Sequence, residues 1–123
     1  SDPQQQQEKE EEKALPLESL NLGRTMARVG GVQALGEAMK GKRLTSLKDL
    51  DLHGNDLRSE GTRHLASAVN AGGVPHLRVL VLRETWLTYV NGFEGGKKGE
   101  RDFAPLSELL LTSSLKELEE LDL

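Results

Sequence analysis

The chain has 123 residues, 36% of them apolar and 29% charged, with a formal net charge of -4, so one soluble domain with its own core is within reach. Aromatic residues make up only 3% and cysteine is absent, which leaves an aliphatic core and excludes disulfides, thiolate metal sites and cysteine nucleophiles. The first thirteen residues carry five acids and two bases, so the remainder is close to neutral, and no basic footprint for nucleic acid stands out.

Residues 1–14, SDPQQQQEKEEEKA, are low in complexity and hold no apolar anchor. Such a segment cannot offset its ordering entropy by burial, so it is expected to be disordered, with Pro16 marking the boundary to a domain over 15–123. No initiator Met and no signal peptide open the chain, which is expected to begin inside a longer protein or after a processed end. No apolar run reaches a membrane-spanning length and no N-x-Ser/Thr acceptor occurs; together with the absence of Cys, this points to an intracellular, cytoplasmic home and no membrane partner.

From Leu17 the chain repeats itself. LESLNLGRT starts at 17, LKDLDLHGN at 47 and LRVLVLRET at 77, each thirty residues after the last. The same shift superposes Gly31 on Gly61, Leu35 on Leu65, Ala38 on Ala68, Met39 on Val69 and Leu44 on Val74. A fourth start, LEELDL at 118, comes forty-one residues after Leu77, so an insertion lies at about 88–102, where NGFEGGKKGE has loop composition. With Gly92, Gly95, Gly96 and Gly99 beside Lys97, Lys98 and Arg101, that insertion is expected to be mobile and an early trypsin target, as is the tail.

Within each unit the period changes. Leu20 and Leu22, Leu50 and Leu52, Leu80 and Leu82, and Leu121 and Leu123 lie two apart, the period of one face of a strand. Leu35 and Met39, Leu65 and Val69, and Leu106 and Leu110 lie four apart, one face of a helix. Gly41 and Gly72-Gly73 stand where the first two helices should stop, and Ser59 where the second should be capped. Strand, turn, helix and return loop in thirty residues cannot bury a core alone; stacked units share one, with strands in a parallel sheet and helices on its other side.

Residues 47–69, LKDLDLHGNDLRSEGTRHLASAV, resemble the leucine-rich repeats of the ribonuclease-inhibitor-like subfamily. Leu47, Leu50, Leu52, Asn55, Leu57, Gly61, Leu65 and Val69 carry the resemblance, which extends over roughly 17–123. It implies an α/β solenoid with a curved parallel sheet on the concave side and helices on the convex side. The chain departs from the pattern at Thr25 and Thr85, which stand where Asn is usual, and at Ala27 opposite Leu57. A hydroxyl there can reach a neighbouring backbone group, but the amide ladder of the pattern is incomplete.

Catalysis finds little support. His53, His64 and His76 fall in a strand row, a helix and a return loop, which disfavours a shared metal. Gly92 to Lys98 is one residue short of a phosphate loop and places Lys98 where Ser or Thr should bind magnesium. No cofactor or metal ligand set is recognised, and a non-enzymatic module that binds a protein partner is expected. The residues that should meet it point away from the Leu rows: Asp49, Asp51, His53, Val79, Val81 and Arg83, with Trp86 and Tyr89 at the rim. Ser19, Asn21, Glu120 and Asp122 complete the columns, so acidic patches flank a Val strip. The resemblance leaves two alternatives open: a GTPase regulator like the Ran GTPase-activating proteins, none of whose functional residues can be placed here, and the sensor repeats of a nucleotide-binding receptor. Because the chain stops within the fourth strand row, a bare sheet edge is expected there, and with it marginal stability or self-association.

Overall fold

A computed structural model describes residues 14–90 and 100–123. The expectations for the tail and for Gly92, Gly95, Gly96, Lys97, Lys98 and Gly99 therefore lie outside the described residues. The described chain runs β1 (Ser19–Asn21), α1 (Val29–Lys40), β2 (Asp49–Asp51), α2 (Arg58–Asn70), β3 (Val79–Val81), α3 (Ala104–Leu111) and β4 (Glu120–Asp122). It is an α/β fold in which four parallel strands form one sheet in the order β1-β2-β3-β4 and three helices make the connections. Parallel neighbours cannot be joined by a tight hairpin, so a return through a helix is the connection this sheet requires.

The pairing follows the sequence spacing. Ser19 faces Asp49, Asp49 faces Val79 and Val79 faces Glu120; Leu20, Leu50, Leu80 and Leu121 form the next row, and Asn21, Asp51, Val81 and Asp122 the third. Hydrogen bonding between units extends past the short strands. Leu22, Leu52 and Leu82 donate their N–H groups to the carbonyls of Asp51, Val81 and Asp122. The chain then turns through left-handed backbone at Arg24, Gly54 and Glu84, with φ of 53, 67 and 59°. Only the middle unit has glycine, the residue that takes this conformation without strain.

The central Leu residues of the strands lie between sheet and helices. Leu47, Leu50, Leu52, Leu77, Leu80 and Leu82 are buried with Val32, Met39, Leu57, Leu65, Val69, Val74 and Leu109 in one cluster. Each such side chain stabilises the fold by about 1.5–3 kcal/mol through removal from water. Leu20 and Leu22 in the first unit, and Leu87, Leu118 and Leu121 towards the other end, are only half-buried against it. Helices pack in sequence order, α1 on α2 and α2 on α3. Gly36 lets α1 approach closely, since a Cβ there would lie 3.3 Å from the His64 carbonyl oxygen.

Two local expectations are corrected. Ser59 is not the cap of α2: it lies inside the helix, and no side chain caps that end. The next unit's backbone supplies acceptors instead, with Leu57 and Arg58 N–H donating to the Thr85 carbonyl and Ser59 N–H to that of Tyr89. The expected stop of α1 is found, with Gly41 as its C-cap at φ -75°, and the left-handed residue that follows is Lys42, the counterpart of Gly72. In α3, Leu110 is 54% exposed while Leu109 is 2% exposed. Leu109 corresponds to Ala68, which lies towards Gly36 of the preceding helix, whereas Leu110 corresponds to Met39, whose side chain lies against Gly73 of the following unit. Among the described residues nothing lies beyond α3 and β4 to cover it, and Leu123, just past the edge strand, is exposed as well. No helix among the described residues is long and apolar enough to cross a membrane.

Candidate functional site

Alternation along three-residue strands decides which side chains leave the core. With Leu50 and Leu80 turned inward, Asp49 and Asp51 on β2, and Val79 and Val81 on β3, stand on the opposite face. Ser19 and Asn21 precede them on β1, and Glu120 and Asp122 follow on β4. The register turns these into two rows across the sheet: Ser19-Asp49-Val79-Glu120 and Asn21-Asp51-Val81-Asp122. Each row places a valine between carboxylates, and both valines are half-exposed.

The second row is tied down. Asp51 Oδ1 accepts the His53 backbone N–H at 2.9 Å and lies 2.7 Å from His53 Nδ1. Arg83 Nη1 donates to Asp122 Oδ2 at 2.7 Å. The His53 ring occupies the space above Gly23, where an added Cβ would come within 2.0 Å of it. Beyond them Arg24 Nη2 donates to Glu84 Oε2 at 3.1 Å, joining the first unit to the third. This reach crosses Gly54, where a Cβ would stand 2.7 Å from Arg24 Cγ. At the opposite ends of the strands, Lys48 pairs with Glu18 at 3.1 Å and Arg78 with Glu119 at 3.0 Å. Asp49 and Glu120, in the first row, have no ion-pair or hydrogen-bonding side-chain partner among the described residues.

Burial pulls the Asp51 carboxyl upward, but the hydrogen bonds from His53 and the charges of His53 and Arg83 outweigh it, and its pKa is held below the ordinary Asp value of 3.8. A depressed carboxylate contributes stability above its unfolded pKa and loses it as pH falls through the folded one. Asp51→Asn is therefore expected to destabilise the chain near neutrality and to flatten the acid limb of its stability profile below about pH 4. Urea unfolding at a series of pH values checks this; parallel acid limbs for the two proteins would contradict it.

No family model, curated protein or solved structure matches this chain.

The structure divides the expected site residues into two groups. Asp49, Asp51, Val79 and Val81 share the sheet face, with His53 and Arg83 where β2 and β3 end. Trp86 and Tyr89 instead border a cleft of about 450 Å³ together with Leu82, Leu87, Leu106 and Leu123. Their rings meet edge to face at 5.0 Å. Arg101 lies over the Tyr89 ring at 3.7 Å and donates to its hydroxyl at 2.5 Å. By composition Arg101 counts among the loop cations, and only its place across the insertion from Tyr89 hints at the pairing. The two residues pair in an antiparallel bridge, and Val90 N–H to Glu100 O and Asp102 N–H to Thr88 O extend it. The chain on either side of the insertion is thus a paired neck, not loop throughout 88–102. Arg63 holds Asp102 at 3.2 Å and fastens the neck to α2.

Trp86 is 57% exposed although Tyr89 touches it. Its emission is expected to be red-shifted and readily quenched by acrylamide. Trp86→Ala should change unfolding by less than about 1 kcal/mol, because most of the indole is already in water. A blue-shifted, protected indole would instead make it an anchor of the neck.

His64 lies in α2 and His76 is 2.6 Å from Glu117 Oε2, both apart from His53. Among the described residues no group of three or more His, Asp or Glu side chains is placed to hold a metal ion.

Proposed function

We propose that the chain is a stretch of a leucine-rich-repeat solenoid of the ribonuclease-inhibitor-like kind, acting as a non-enzymatic module that holds a protein partner on the solvent face of its sheet. Parallel sheets are ordinarily covered on both faces. Here the Leu rows and the helices occupy one face, and the other presents half-exposed Val79 and Val81 between carboxylates. That apolar step on a polar sheet, left uncovered by the described residues, is the observation that carries the reading. Repetition supports the solenoid: the register advances by one unit per strand, and each helix lies on the one before it. An intracellular, cytoplasmic setting belongs to the same reading and is supported by the absence of cysteine.

The reading is tested by retention of proteins from cell extract on the immobilised chain. A Val79→Ser/Val81→Ser variant is expected to lose the retained proteins. A Glu37→Ser/Lys40→Ser variant, altered on the exposed side of α1, should keep them. Equal retention by both variants would contradict binding on the sheet face.

A further inference from the structure

We infer that the sheet face is built for a polypeptide segment that places an aliphatic side chain on Val79 and basic side chains on either side of it. This rests on the protein-binding reading above and names the partner's chemistry. The two rows of the face differ. Around Val81, Asp51 is held by His53 and Asp122 by Arg83, so that both carboxylates already have cationic or hydrogen-bonding partners. Around Val79, Asp49 and Glu120 are exposed and have no partner among the described residues. Neighbouring strands lie about 4.8 Å apart, so these two acids stand about 10 Å apart across the valine. A Lys or Arg stem can lie along apolar surface while its charged head reaches a carboxylate.

The nearby cations do not fill this gap. Lys48 is engaged with Glu18 and Arg78 with Glu119 at one end of the strands, and Arg24 with Glu84 at the other. An incoming basic group therefore meets open carboxylates rather than displacing an existing pair. An acidic segment would meet like charge on both sides of Val79, a juxtaposition that rejects wrong partners. The acids alone would make only a solvated patch. The valine between them, half-exposed on a face that no helix among the described residues covers, is what makes the arrangement a docking surface.

The test is an NMR titration of the isotopically labelled full chain with two synthetic peptides, Lys-Val-Lys and Glu-Val-Glu, each within the same Gly/Ser flanks. The basic peptide is expected to shift the amides of Asp49, Val79 and Glu120 saturably, and added salt should weaken it by shortening the screening length. Asp49→Asn/Glu120→Gln should weaken its binding roughly tenfold. Both positions are exposed, so folding is expected to be retained, and the spectrum of the variant shows it directly. The acidic peptide should leave these amides unmoved. If it shifts them equally, the charge inference is overturned while the sheet face stands as a docking surface. If neither peptide moves them, or if they broaden with protein concentration alone because a second copy occupies the face, the inference is likewise overturned. The extract-retention experiment then decides the parent reading separately.

Discussion

Asn55→Ala is expected to lower stability by about 3 kcal/mol, the cost of stranding several buried polar groups at once. Asn55 is 3% exposed and joins two units. Its Oδ1 accepts the Ala27 N–H at 3.0 Å, and its Nδ2 donates to the carbonyls of Leu22 at 2.8 Å, Leu52 at 3.0 Å and His53 at 3.3 Å. Asn55→Asp sharpens the test. A carboxylate can still accept from Ala27 but has no proton for the three carbonyls, so it should be at least as damaging as Ala. Thr25 and Thr85 occupy the same position in the flanking units, and each donates its hydroxyl only to the carbonyl three residues back. Thr25→Ala, at an exposed site, should cost well under 1 kcal/mol. Urea unfolding of the variants measures all of this; an Asn55→Ala midpoint close to wild type would show that the amide does not tie the units together.

Leu80→Ala should cost about 4 kcal/mol through lost burial and the cavity left behind. Leu80 is fully buried at the centre of β3, in register with Leu50 on one side and Leu121 on the other. Leu121 is only half-buried, so Leu121→Ala should cost less. Val79→Ala, one residue away on the solvent face, should cost under about 1 kcal/mol. A graded series in that order, measured by urea unfolding, would establish the inward and outward alternation on which the site depends. Similar losses at 79 and 80 would contradict it.

Strand register was legible because it depends on spacing alone. A thirty-residue shift between LESLNL, LKDLDL and LRVLVL places Asp49 and Asp51 beside Val79 and Val81, and a forty-one-residue shift brings Glu120 and Asp122 alongside, which are the pairings found. The α/β class with a parallel sheet followed from the same rows. Helix ends were harder to read. Ser59 has the chemistry of a cap, but the Thr85 and Tyr89 carbonyls of the next unit already take the donors at that end. Local sequence holds no record of an acceptor some thirty residues away. Leu110 shows a related limit: its period marks it as apolar, but its burial depends on whether another unit covers it.

The division of the site was also hidden. Residue order sets Trp86 and Tyr89 at the rim of the sheet face but does not show that they border a cleft of their own. The division arises because the chain leaves β3 through left-handed backbone at Glu84 and Trp86, conformations that propensity does not assign to those residues. The Arg24–Glu84 pair spans sixty positions and passes over Gly54, so it could not be read from nearest-neighbour repeats. Asp49 and Glu120 could be assigned to acidic columns, but which carboxylates stay open depends on where the His53 and Arg83 side chains turn.

Site-resolved photo-cross-linking shows which face of the chain meets a partner. A photoreactive residue is placed singly at 79 or 81 on the sheet face, and at 37 or 40 on the exposed side of α1, and each protein is irradiated in cell extract. Discrete protein adducts are expected from 79 and 81, suppressed by excess unlabelled wild-type chain, and little from 37 and 40. Adducts confined to 37 and 40, or equal at all four positions, would contradict a partner-binding sheet face.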